Sequence, residues 1–296
     1  MKKTVYILSG TFVVLLLIAY VVMQKPGEQS ASSASSGPLC KIDSVSVDKI
    51  ELKSPAADVV LEKRGAEWFV TQPINYRADQ NNVGQLLHQL KTMETKGVIS
   101  SRPDKQKVFQ VDQSGTQVNV SEKGAEKAAF ILGKMAGSYD EYYARRVNAN
   151  DVLLVGGAYA YTFNRQVRDW RDRAIAAIPR ESIKDIRYQY GDTVFTLLHK
   201  DSLWVIGQDK AQQSVVDGIL SALSNIQADE FIDSTIVPKI SALVTAHDIQ
   251  LRFSYDKSKL KYYVQSSQAK QWFVLDPWKA NQILKRKLEI LGTVKK

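Results

Sequence analysis

The sequence predicts an α+β fold of two related units, each an antiparallel sheet plus an amphipathic helix, preceded by one N-terminal transmembrane helix. Three observations carry this reading. A shift of 136 residues places Val47, Ile50, Leu52, Val59, Leu61, Trp68 and Val70 on Ile183, Ile186, Tyr188, Phe195, Leu197, Trp204 and Ile206 without a gap. After the tryptophan the first copy holds three extra residues around Pro73, and then Val83, Leu86, Leu87, Leu90 and Met93 recur as Val216, Ile219, Leu220, Leu223 and Ile226. That spacing lays one apolar stripe along a helix, whereas the runs before it alternate with a period near two, as half-buried strands do. Strands followed by single helices indicate α+β, not a doubly wound parallel sheet.

Residues 1–24 read as a cytoplasmic stub and a membrane span. Lys2 and Lys3 precede Val5 to Met23, nineteen residues without a charge, which as a helix would cover about 28 Å of a ~30 Å bilayer core. Lysines before the run and only Lys25 just after it place the N-terminus in the cytoplasm and the rest outside. The run is longer than a signal-peptide core and no small-x-small site closes it, so the anchor is expected to stay uncleaved. Residues 25–42 form a Ser/Ala-rich tether too polar to pack. Cys40, the chain's one cysteine, is expected there as an exposed thiol able to join two chains.

The first unit covers residues 43–176. Strands are expected at 44–52, 57–64 and 66–71, the last ended by Pro73, which cannot donate to a ladder. Asp79 suits the N-cap of the helix that runs to Met93. A strand at 96–101 and a four-strand meander at 117–155 follow, then a short helix at 158–163. The second unit, 177–296, repeats the plan with strands at 183–190, 192–199 and 202–206, a helix at 211–226 and a strand at 227–232. A short helix at 238–245, a meander over 247–275 and a closing helix at 278–291 complete it.

Composition narrows function only coarsely. With 44% apolar and 24% charged residues the chain is an ordinary globular one, and its net charge of +9 fits a solvated surface. One cysteine rules out a disulfide scaffold. His88, His199 and His247 lie far apart without metal-ligand spacing, and no phosphate loop, G-x-S-x-G elbow or H-E-x-x-H is present. No catalytic residue, cofactor or metal is therefore assigned. Trp68 and Trp204, at equivalent places, are read as core, and Pro73 and Asp79 as structural. Tyr139, Tyr142, Tyr143, Tyr159 and Tyr161 gather in the first meander and, with Arg145 and Arg146, could line a groove for a glycan or peptide. Arg165, Arg168, Arg171 and Arg173, with Asp169 and Asp172, form the densest charge cluster. It reads either as a salt-bridge network joining the units or as a docking surface for anionic lipid or an acidic partner.

Trp68-Phe69-Val70-Thr71-Gln72-Pro73, the Ala78-Asp79 start of a Leu-rich helix, Leu132-Gly133, Tyr142-Tyr143-Ala144-Arg145 and Arg171-Asp172-Arg173 resemble a bacterial envelope family of unknown function. The resemblance covers roughly residues 44–290. Members are often encoded beside gliding-motility-associated ABC transporters, which implies an extracytoplasmic accessory to such a transporter. The family carries no accepted catalytic residues. The leading expectation is thus a membrane-anchored, non-enzymatic interaction module, accessory to an ABC-type transport or envelope-assembly complex, with a protein partner and no nucleic acid. The alternatives are an envelope solute or glycan receptor using the Tyr/Arg surface, and an envelope hydrolase. Oligomeric state is open.

Overall fold

The computed structural model describes residues 37–234, 238–269 and 271–293. They divide into two compact units, which meet in sequence at Asp172/Arg173.

The first unit runs β1 (Gly37–Pro38), β2 (Val47–Lys53), β3 (Asp58–Arg64), β4 (Glu67–Gln72), β5 (Tyr76–Arg77), α1 (Gln80–Thr92), β6 (Glu94–Ser100), β7 (Thr116–Glu122), β8 (Ala125–Met135), β9 (Glu141–Arg146), β10 (Val152–Gly156) and α2 (Ala160–Phe163). Its strands form one antiparallel sheet in the order β1-β6-β10-β9-β8-β7-β2-β3-β4-β5. The second unit runs β11 (Ala174–Ala176), β12 (Asp185–Tyr190), β13 (Thr193–Lys200), β14 (Leu203–Ile206), β15 (Asp209–Lys210), α3 (Gln213–Ser224), β16 (Ile226–Gln227), β17 (Glu230–Phe231), β18 (Ala242–Ala246), β19 (Ile249–Asp256), β20 (Lys261–Ser266), β21 (Phe273–Leu275), α4 (Pro277–Ile283) and α5 (Lys287–Leu291). Its main sheet has the order β15-β14-β13-β12-β18-β19-β20-β21-β17, and β11 pairs with β16 in a small second sheet.

These two orders are one order. Registers agree as well as neighbours: Ile50↔Leu61 and Leu52↔Val59 become Ile186↔Leu197 and Tyr188↔Phe195, and Lys63↔Trp68 becomes His199↔Trp204. The shift of 136 turns into 133 inside the β4–β5 turn, since Phe69↔Arg77 matches Val205↔Lys210. The three extra residues therefore sit in that turn, around the cis Gln72–Pro73 peptide bond. The 133 shift holds through the helix to the far edge, where Val98 and Phe231 face Leu153 and Phe273. The opening strands agree too, Pro38↔Glu94 matching Ala174↔Gln227. At the C-terminal ends, Trp170 and Ile290 each offer a carbonyl to the backbone N–H that starts α1 or α3, on Asp79 and Gln212.

Each unit buries one side of its sheet under its helices. Ile50, Leu52, Leu61, Val83, Leu86 and Leu90 form the first core with Trp68, and Ile186, Tyr188, Leu197, Val216, Ile219 and Leu223 form the second with Trp204. Burying an aliphatic side chain of this size contributes roughly 1.5–3 kcal/mol, so the stripe outweighs the weak propensity of 12- or 13-residue helices.

The fold class departs from expectation. Strands make up 44% of the described residues and helices 20%, so the fold is mostly β, not α+β. The reason is that the expected meanders do not stand apart. β7–β10 and β18–β21 continue the sheets begun by β2 and β12, and each widened sheet keeps one long helix. No helix among the described residues is long and apolar enough to cross a membrane, and Val5–Met23, where the span was expected, lies outside them. The helix expected at 238–245 is instead β18, a central strand between β12 and β19 whose alternate residues are buried. The closing helix is two helices. Leu284 leaves helical geometry at ψ 76°, and the next helix starts at Arg286, whose backbone N–H donates to the Glu289 carboxylate at 2.7 Å and whose guanidinium lies 3.9 Å over the Tyr190 ring.

The end of the expected tether also belongs to the fold. β1 pairs with β6, and Leu39 and Cys40 are 5% and 3% exposed. Cys40 occupies the place of Ala176 in the repeat and packs into the first core. Burial pushes its thiol up to about 12, with Arg146 opposing, so it is a protonated core residue and not an exposed linker thiol.

Candidate functional site

Helix α1 starts where the Asp79 carboxylate accepts hydrogen bonds from the Asn81 and Asn82 backbone N–H groups, at 2.9 and 3.0 Å. Its apolar stripe faces the sheet, which leaves Gln85, His88, Gln89 and Thr92 on the next face round, at spacings of three and four. Gln89 is the one that turns inward. It is 7% exposed, accepts from the Tyr159 N–H at 3.1 Å and donates to the Thr162 hydroxyl at 2.8 Å. A buried amide satisfied on both ends fixes the α2 segment against α1. Gly157 allows the chain to enter that segment: its φ is +75°, and a Cβ there would meet the Thr92 carbonyl oxygen at 3.3 Å.

Between α1 and this segment lies a cavity of about 450 Å³, lined by Gly84, Gln85, His88, Gln89, Thr92, Gly157, Tyr159 and Tyr161. Tyr161 and Tyr139 are 65% and 72% exposed. With Tyr159 between them they make a chain of rings, centroids 6.0 and 5.9 Å apart. The neighbouring Tyr139, then desolvation and the Asp140 carboxylate, raise the Tyr159 phenol above its usual range and keep it neutral. Gln85 accepts from Arg165 Nη2 at 2.8 Å.

The structure divides the tyrosines that sequence places together. Neighbours on a strand point to opposite faces. Tyr142 of β9 turns to the core side with Ala144, whereas Tyr143 packs on Phe109, ring centroids 4.5 Å apart. Arg145 is a loop clamp: its guanidinium donates to the carbonyls of Val111, Val147 and Ala149 at 2.9, 3.1 and 3.0 Å. Tyr159 and Tyr161 line the cavity, and Tyr139 adjoins it through its ring contact with Tyr159. Gln85, His88 and Gln89 were not singled out as a set, although their helical spacing beside the apolar stripe was a readable signal.

The arginine cluster is also spread. Arg165 lies 5.4 Å from the Trp170 ring, and Arg168 is exposed at 3.7 Å from the Asp169 carboxylate. Arg171 is 5% exposed, bridges Ala78 and lies 4.5 Å over Tyr76. Asp172 pairs with Arg77, and Arg173 gives its carbonyl to the Ala228 N–H at 2.8 Å inside the second unit. Trp68 and Trp204 are each 6% exposed. Pro73 stands in the β4–β5 turn. Among the described residues no group of three or more His, Cys, Asp or Glu side chains could hold a metal ion.

No curated protein and no solved structure matches the chain. Residues 68–242 match the family described as Domain of unknown function (DUF4340). The match begins at the first unit's tryptophan strand and ends in β18, so it takes in parts of both units. With more than half of its length matched, the chain belongs to that family of unknown function.

Proposed function

We propose that this protein is a membrane-anchored, extracytoplasmic interaction module without catalytic activity, accessory to an ABC-type transport or envelope-assembly complex. The observation that carries the reading is divergence of surface on a repeated scaffold. On the outward face of the first sheet, Asp58, Glu62 and Glu67 stand where the second has Val194, Leu198 and Leu203, which are 47%, 44% and 42% exposed. Leu198 also faces Val205 across the ladder, so the aliphatic groups adjoin. Adjoining exposed aliphatics on a sheet fit a protein partner better than a solute. The uncharged run Val5–Met23 and the resemblance to proteins encoded beside ABC transporters supply the membrane and transporter parts of the reading.

The test is isolation of the full-length protein in mild detergent, with partners identified by mass spectrometry. Recovery of an ABC permease or ATPase, lost in Leu198→Glu, supports the reading. Turnover of an envelope substrate by the purified protein, or isolation alone under every mild condition, sinks it.

A further inference from the structure

The groove between α1 and the Tyr159–Tyr161 segment brings exposed aromatic rings beside polar side chains. We infer that it binds an uncharged saccharide chain, laid along the rings of Tyr139, Tyr159 and Tyr161.

Ring exposure is the first ground. Tyr139 and Tyr161 show 72% and 65% of their surface, and each touches the Tyr159 ring, at centroid distances of 6.0 and 5.9 Å with the ring planes tilted by 36° and 44°. Sugar rings present flat C–H faces to aromatic rings, and a row spaced about one sugar ring apart can hold successive units of a chain. The same rings carry phenol hydroxyls for the sugar's polar rim. The second ground is the lining, made of glutamine, threonine, histidine and tyrosine with no carboxylate and no lysine. Gln89 is bonded at both ends and the Gln85 oxygen is taken by Arg165, so the groups that meet a ligand's hydroxyls are the Gln85 amide nitrogen, the His88 ring and the tyrosine phenols.

A third ground comes from the repeat. The Gln89 clamp that fixes the tyrosine segment is replaced at the register-equivalent position by Ala222 in the second unit. A buried amide kept in one copy alone holds something that copy alone has. Gly84 adds a fourth. It lines the cavity from within α1, where glycine is unfavourable, and a Cβ there would touch no atom within 4 Å, so a longer side chain at this position would project into open space beside the groove. A peptide is the weaker candidate, because the walls are a helix and a turn and offer no strand edge for main-chain pairing.

The experiment is calorimetric titration of the full-length chain in lipid nanodiscs with cellotetraose and with chitotetraose. Saturable binding with Kd below about 10 mM is expected for at least one. Tyr161→Ala and Tyr139→Ala, both exposed, should each weaken it roughly tenfold, Gly84→Gln should abolish it, and Trp278→Ala in the second unit should leave it unchanged. No saturation by either sugar, or binding indifferent to all three groove variants, overturns the inference. So does saturation of the groove by an uncharged alternating Ala/Gln decapeptide in place of both sugars. The outcome is independent of transporter co-purification, so either reading can fail while the other stands.

Discussion

The two units repeat one strand order with matching registers, yet they differ in what fills the seam between the long helix and the segment that follows the last strand. In the first unit Gln89 ties that segment down and presents tyrosines. In the second, α3 has Ala222 at that position, and in the stretch after β21 Lys279 reaches the Asp229 carboxylate at 2.5 Å and Trp278 is exposed. The caps differ in the same direction: Asp79 caps α1 with its side chain, and Gln212 makes no such bond to α3. Sheet and core are therefore the shared inheritance, and the helix seam is where the copies part. Repeated scaffolds tolerate change where packing does not forbid it.

The largest test of that division is energetic equality of the cores. Trp68→Ala and Trp204→Ala should each lower the stability of their own unit by about 3–5 kcal/mol, read by denaturant unfolding of the full chain with a separate transition for each unit. Losses that differ by more than about 2 kcal/mol would show that equal register does not mean equal packing. The next effect is confined to the seam. Gln89→Ala strips partners from the Tyr159 N–H and the Thr162 hydroxyl and should cost about 1–3 kcal/mol in the first unit alone. Loss of protection at Tyr159, read by amide hydrogen exchange, localises it.

A smaller effect sharpens the comparison from the other side. Tyr188 replaces Leu52, is fully buried, and its hydroxyl finds no hydrogen-bond partner among the described residues. Tyr188→Phe should be neutral or stabilising, by up to about 1 kcal/mol. Burial, and then Tyr190, holds the Tyr188 phenol well above its ordinary range. A raised folded pKa gives stability that is intact below the unfolded value and falls as pH rises past it. The second unit should therefore weaken above about pH 10. Tyr188→Phe should flatten that decline while the first unit's transition keeps its own slope. The smallest change expected is a gain: Gly84→Ala should stabilise α1 by about 0.5–1 kcal/mol, since its Cβ meets nothing. Failure to gain would mean that the glycine serves the backbone and not the groove.

How much of this was legible depended on the range of the interactions involved. The strand and helix stripes of both copies could be read because their periods are local. The return of β6 to the far side of the sheet, between β1 and β10, could not, since its β10 partner lies some fifty residues on and no period marks it. Two-residue strands such as β5 and β15 carry no pattern at all. Cys40 was hidden by its neighbours: a serine-rich stretch ends just before residues that pack as firmly as Ile175 and Ala176. Arg145 shows what sequence leaves out. An arginine among tyrosines looks like a ligand contact, and its Nε and Nη1 also clamp carbonyls of the adjacent loops. In the groove the rings were visible in sequence, and what escaped was the polar side of α1 that completes it.

The closure of the first sheet within residues 37–172 has a consequence in time. Because the two units share registers, a strand of one is a plausible partner for the other's neighbour, and tandem copies are prone to such mispairing. Here every strand pair of the first sheet is complete before Arg173 is synthesised. A chain that emerges from its N-terminus can satisfy its earlier half first, so the later copy meets a sheet whose ladder positions are already taken.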